Sequence, residues 1–107
     1  MNDTIKTLLE QMHWPEMSRM IGVKGKPVYS NEHNSFSFQF SMFRKANLCR
    51  IRYVPGEDLY CMEFYRLRRL NCELVQEFPG LYADQLNSTF QTFTGLDTRI
   101  PQVFRRR

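Results

Sequence analysis

The sequence is short of the residues that metal and disulfide chemistry need. It has three cysteines, Cys49, Cys61 and Cys72, with no C-x-x-C pair, and two histidines, His13 and His33. That set excludes a disulfide framework and zinc-ligand spacing. Reduced thiols in a cytoplasmic compartment are the expectation. No apolar run approaches the length of a membrane span, so no membrane partner is expected. The first residues, MNDTIKTLLEQ, are charged every few positions, unlike a secretory leader. Internal repeats and low-complexity segments are absent as well.

The motifs of common catalysts are also missing. There is no G-x-S-x-G, H-E-x-x-H, Walker loop or G-x-G-x-x-G. "GVKGKP" has two glycines and two lysines but lacks the P-loop spacing, and it reads as a connector. His13 beside Trp14 is a general-base candidate that no second group supports. Glu57-Asp58 lies in a turn, where Asp serves local backbone hydrogen bonds. No enzyme activity, metal or other cofactor is expected.

Acidic residues are outnumbered, eleven against fifteen Lys and Arg, for a net charge of +4. Three of the basic residues are Arg105, Arg106 and Arg107 at the end of the chain. The basicity is therefore largely a property of the tail, and the body is nearly neutral.

What the sequence does have is pattern. Its 107 residues suit one domain, and 42% hydrophobic with 14% aromatic content suits one modest core. Residues 4–13 carry an apolar stripe, Ile5, Leu8, Leu9 and Met12, at helical spacing, with Asp3 or Thr4 as cap. Trp14-Pro15 interrupts it, and a second helical turn is expected over 15–20, ended by Gly22. Val28 to Ser30 reads as a short strand.

The stretch SFSFQFSMF, residues 35–43, alternates polar and apolar residues as a half-buried strand does. A turn at 44–47 would set Met42 opposite Cys49, Phe40 opposite Ile51 and Phe38 opposite Tyr53. A turn at 55–58 would set Tyr53 opposite Tyr60, Ile51 opposite Met62 and Cys49 opposite Phe64. One face of three strands is then apolar. The other gathers Gln39, Ser41, Arg50, Arg52 and Glu63, with Arg50 opposite Glu63. A three-residue loop, 68–70, would put Cys72, Leu74 and Phe78 on the apolar face of a fourth strand. Pro79-Gly80 would close the sheet, and 81–94 would form a helix with Leu81, Tyr82, Gln85, Leu86, Thr89, Phe90 and Phe93 along its buried side and Gly95 as C-cap.

The expected fold is α+β: a four- to five-stranded antiparallel meander with an N-terminal helical segment and a C-terminal helix packed on one face. Residues 1–107 make a single domain, with 1–22 helical, 23–79 sheet, 80–96 helix and 97–107 a basic tail.

Two surfaces are functional candidates. The outer sheet face offers Phe43, Leu48, Arg50, Arg52 and Tyr65, residue types that anchor protein interfaces. Its partner would be another protein or a second copy. One end of the meander gathers Arg44 and Lys45 with Arg66, Arg68 and Arg69; with Arg105 to Arg107 these form a nucleic-acid alternative. Among the thiols, Cys49 and Cys72 are expected on the core face and Cys61 on the outer face, as the accessible one.

The second half of the chain carries D-L-Y-C-M-E-F (Asp58, Leu59, Tyr60, Glu63 and Phe64 the matching positions), then G-L-Y-A-D-x-L (Gly80, Leu81, Tyr82, Ala83, Asp84, Leu86), and closes on Thr94, Gly95 and Leu96. In this it resembles small proteins encoded by phages and bacterial mobile elements. The resemblance implies a fold-keeping role for these residues and a phage-like setting. It carries no catalytic residues.

Overall fold

The computed structural model describes residues 3–12, 14, 22–41 and 43–96. The helical turn expected over 15–20, Met42, His13 and the tail 97–107 lie outside the described residues. Helix α1 spans Asp3–Gln11. Five strands follow: β1 Val23–Ser30, β2 Ser35–Phe40, β3 Leu48–Val54, β4 Leu59–Arg68 and β5 Asn71–Leu81. A 3-10 turn, Ala83–Gln85, leads into helix α2, Leu86–Thr94. The sheet is an antiparallel meander in the order β1-β2-β3-β4-β5, so the chain has the α+β architecture its patterning predicts. Among the described residues no helix is long and apolar enough to cross a membrane.

The core lies between one sheet face and the helices. Phe36, Phe38 and Phe40 from β2, Cys49 and Ile51 from β3, and Met62 and Phe64 from β4 are buried, and Ile5, Leu8, Leu86 and Phe90 come down on them from the helices. Trp14 closes one side, its ring 4.7 Å from Phe36 and 4.8 Å from Phe38. The Asn87 amide donates to the Met12 carbonyl at 3.0 Å and so ties α2 to the end of α1.

The β3–β4 register is the expected one: Tyr53 faces Tyr60, Ile51 faces Met62, Cys49 faces Phe64 and Arg50 faces Glu63. The β2–β3 register differs. Phe38 faces Cys49 and Phe36 faces Ile51, a slip of four residues from the expected pairs. An even slip keeps every side chain on its face, so the core is unchanged. The cause is Asn47. Its carbonyl accepts the Phe40 amide and its own amide donates to the Tyr65 carbonyl, both at 3.0 Å. Its side chain donates to the Leu67 carbonyl and accepts the Leu67 amide, at 2.9 and 2.7 Å. Residues 41 and 43–47 thus lie in a loop pinned to β4 rather than in a four-residue turn.

Three other boundaries move. "GVKGKP" is not a connector: β1 begins at Val23 and runs through it, with an irregularity between Lys24 and Val28 and Gly25 at φ +68. As an edge strand, β1 tolerates Pro27 and a bulge. The tip of the β4–β5 hairpin is two residues, Arg69 and Leu70, not three, since Arg68 pairs with Asn71. Beyond it Tyr65 faces Leu74 while Phe64 faces Gln76, so Val75 is an extra residue in a bulge. Cys72 and Leu74 therefore point away from the core, and Phe78, past the bulge, points into it. Finally, β5 continues through Pro79-Gly80 to Leu81, with a second irregularity there. The helix starts later than expected, and Tyr82 is exposed rather than part of the buried stripe. The Gln85 side chain accepts the Tyr82 amide at 2.8 Å, and Gly95 at φ +78 caps α2 as expected.

Candidate functional site

The outer sheet face is organised around one carboxylate. Glu63 is 7% exposed and stands in the middle of β4, flanked by the arginines of β3. Arg50 Nη1 lies 3.5 Å from its Oε1 and Arg52 Nε 3.3 Å from its Oε2. The Tyr65 hydroxyl donates to Oε1 at 2.9 Å. Arg52 also reaches Glu77 on β5, at 3.8 Å. The strand register sets this network up: Arg50 and Glu63 are cross-strand partners, Glu63 and Glu77 are partners, and Arg52 stands opposite Cys61. A buried carboxylate needs such partners, since an unpaired one would be costly.

Cys61 belongs to the outer face, as its register requires, but it is not the accessible thiol. It is 2% exposed, and its Sγ donates to Glu77 Oε2 at 3.4 Å. Burial, then this hydrogen bond, push its pKa from an ordinary 9.0 up to about 11. The thiol stays protonated at neutral pH and is a poor nucleophile. Cys49 is buried, and burial, then the Glu63 charge, raise its thiol well above the ordinary value too. Cys72 is the exposed one, because the Val75 bulge turns it outward. Burial and the hydrogen bond to Glu63 also raise the Tyr65 phenol.

The ligand atoms of Cys61, Glu63 and Glu77 lie within 4.8 Å of one another. The Arg52 guanidinium already supplies the positive charge at that spot, and the thiol is protonated, so the group is poorly suited to a metal ion.

Of the five residues expected on this face, Leu48, Arg50, Arg52 and Tyr65 are there. Phe43 is not. The strand ends at Phe40 and the loop carries Phe43 round to the helix side, where its ring meets Phe93 edge to face at 5.4 Å. Three residues of the face escape the sequence reading: Leu67, Cys72 and Leu74. Leu48, Tyr65 and Leu74 form one cross-strand row, and Leu67 and Cys72 the next. Together they make an apolar strip over three strands, with Leu74 52% exposed.

The basic end is assembled as the meander predicts. Arg66 Nη1 donates to the Arg44 carbonyl, which holds the 43–47 loop against the β4–β5 hairpin. Arg68, Arg69 and a fully exposed Leu70 form the tip, with Arg69 at φ +33. Glu73, opposite Arg66, offsets one of the charges. The tail arginines lie outside the described residues. No protein-family model, curated protein or solved structure matches the chain.

Proposed function

We propose that the chain is a non-enzymatic binding protein that works through protein contact on the outer face of its sheet, as an inhibitor or adaptor in a phage-type setting. One observation supports this above the rest: the strip Leu48, Tyr65, Leu67, Cys72 and Leu74 faces outward across three strands, next to arginines held in place by Glu63. An apolar centre with an ordered Arg and Tyr border is the make-up of a protein interface. Arg50 and Arg52 are held by carboxylates, so they border the strip as fixed shapes more than as free charges. The contact is made by the face rather than by the β5 edge, which two irregularities and Pro79 interrupt.

The test is a pull-down from the cells of origin, with nuclease present, using the wild-type protein and a Leu67→Glu/Leu74→Glu variant. Leu74 is exposed and Leu67 half-buried on the outer face, away from the core, so the variant is expected to fold. A protein retained by wild type, or a second copy of the chain, is expected to be lost from the variant. Equal retention by both would overturn the reading.

A second reading, nucleic-acid binding at the basic end, is favoured by the hydrogen bond that joins Arg66 to the Arg44 loop and so gathers Arg44, Lys45, Arg66, Arg68 and Arg69. Here an electrophoretic shift is expected that weakens steeply with salt and disappears in an Arg68→Ala/Arg69→Ala variant. No shift at about 50 mM salt would end this reading.

A further inference from the structure

Helix α2 docks on the sheet through Leu86, Phe90 and Thr94, all buried. Its flank toward β5 is built differently. Ser88, Thr89 and Thr92 stand there, small and hydroxyl-bearing where a helix that covers a sheet would ordinarily present large apolar side chains. The space they leave is ringed by phenylalanines from three elements. Phe93 of α2 meets Phe43 of the loop at 5.4 Å and Phe78 of β5 at 5.6 Å, both edge to face. Phe64 lies behind them, 4.5 Å from Phe93. The result is an open cleft of about 500 Å³, within the roughly 300–1,000 Å³ range of small-molecule sites.

The described lining of the cleft carries positive charge only, and Glu73 stands opposite Arg66 at the basic end beside it. Lys45 is the charged residue among its described lining residues, and none of them is acidic. Arg44 precedes Lys45, and the Arg66 guanidinium sits on the Arg44 carbonyl. A cationic occupant would be repelled. A neutral one would gain at most an ordinary hydrogen bond from the lysine. An anion would find an ammonium and the Thr89 and Thr92 hydroxyls at the rim, the Ser88 hydroxyl donating to the Gln85 carbonyl, with aromatic edges and faces below for an apolar body.

We propose that this cleft binds a small amphipathic anion, a carboxylate carrying an aromatic ring or a short alkyl chain. The apolar body rests among Phe43, Phe78 and Phe93, and the carboxylate pairs with Lys45. The site lies on the helix side of the sheet, away from the outward strip, and is independent of it.

The experiment is a protein-observed NMR titration with octanoate, alongside octan-1-ol and octyltrimethylammonium, on wild type and on two variants. Lys45→Glu reverses the charge in an exposed loop, and Thr92→Trp fills the cleft from an exposed helix position. Saturable shifts are expected for octanoate at amides 43–46, 78 and 88–93. Affinity is expected to fall by about tenfold or more in Lys45→Glu, as loss of a charge-assisted contact predicts, and binding to vanish in Thr92→Trp. Octyltrimethylammonium is expected to leave the same amides unmoved. The proposal is overturned by non-saturable shifts, by equal binding of the cation, by unchanged affinity in Lys45→Glu, or by shifts centred on the outer strip.

Discussion

Replacing Phe90 with alanine is expected to cost the fold about 3–5 kcal/mol, the range for truncating a fully buried phenylalanine. Phe90 is the residue through which the C-terminal helix is attached. Its ring lies 5.9 Å from Phe38, 5.1 Å from Phe40 and 5.6 Å from Phe64, so one side chain bridges β2 and β4. Helix α2 has nine residues, too few to hold a helix in water without packing. Its residues cannot follow an alanine down into the space, because Leu86 and Thr94 on either side are already seated on the sheet. A cavity is the consequence. For a domain whose total stability is about 5–15 kcal/mol, this is a large share. Urea unfolding measures it. Thr92→Ala, on the exposed side of the same helix, is expected to stay within about 0.5 kcal/mol of wild type. A Phe90→Ala midpoint close to that of Thr92→Ala would mean that α2 is not docked as described.

Raising the pH toward and past 9.0, where an unfolded thiol is half ionised, is expected to destabilise the protein. Burial raises the pKa of Cys49, Cys61, Tyr60 and Tyr65 in the folded state, with Glu77 adding to the effect at Cys61 and Glu63 at Tyr65. Each group keeps its proton in the native state after the unfolded chain has lost it. The unfolded state then binds fewer protons, so stability falls with pH. The contribution is present in full below the unfolded values and is lost as pH rises through the folded ones, about 11 for Cys61. The Cys61 share is at most about 2–3 kcal/mol, less whatever solvent screening removes. Urea midpoints at a series of pH values between neutral and strongly alkaline would show the fall, and Cys61→Ala would make it shallower. A midpoint that holds or rises through this range would contradict the burial of these groups.

The β3–β4 hairpin was legible in the sequence because two independent signals agree there. Pro55-Gly56 marks the turn, and both faces of the ladder fail together under a one-residue slip. At β2–β3 only the face was legible. Any even slip satisfies the pattern, and the selecting residue, Asn47, acts through backbone hydrogen bonds that no periodicity reports. The start of β1 was hidden by composition: Gly, Lys and Pro suit a loop, and they also suit an edge strand that needs neither a full ladder nor a buried face.

The site was legible in the same uneven way. Leu48, Arg50, Arg52 and Tyr65 followed from the β3–β4 register. Leu67 follows from the same β4 alternation as Tyr65, whereas Cys72 and Leu74 did not follow, because the bulge turns on the adjacent pair Leu74-Val75, where either residue can serve as the apolar one. Strand alternation predicts Phe43 on the outer face, but pairing stops at Phe40 and Phe43 packs on Phe93 instead. Cys61 was assigned to the correct face but not to its burial, since the side chains around it belong to a network spanning three strands.

Val75 is one residue more than the pairing of β5 needs: without it the flanking pairs, Tyr65 with Leu74 and Phe64 with Gln76, would simply follow one another. That surplus has a use at the level of the population of molecules. An eleven-residue outermost strand with no irregularity would be a straight template on which copies could stack without limit. A strand whose two halves are out of phase matches no straight copy of itself over its full length. The leucines near this end of the sheet therefore stand beside an edge whose irregularity disfavours such stacking.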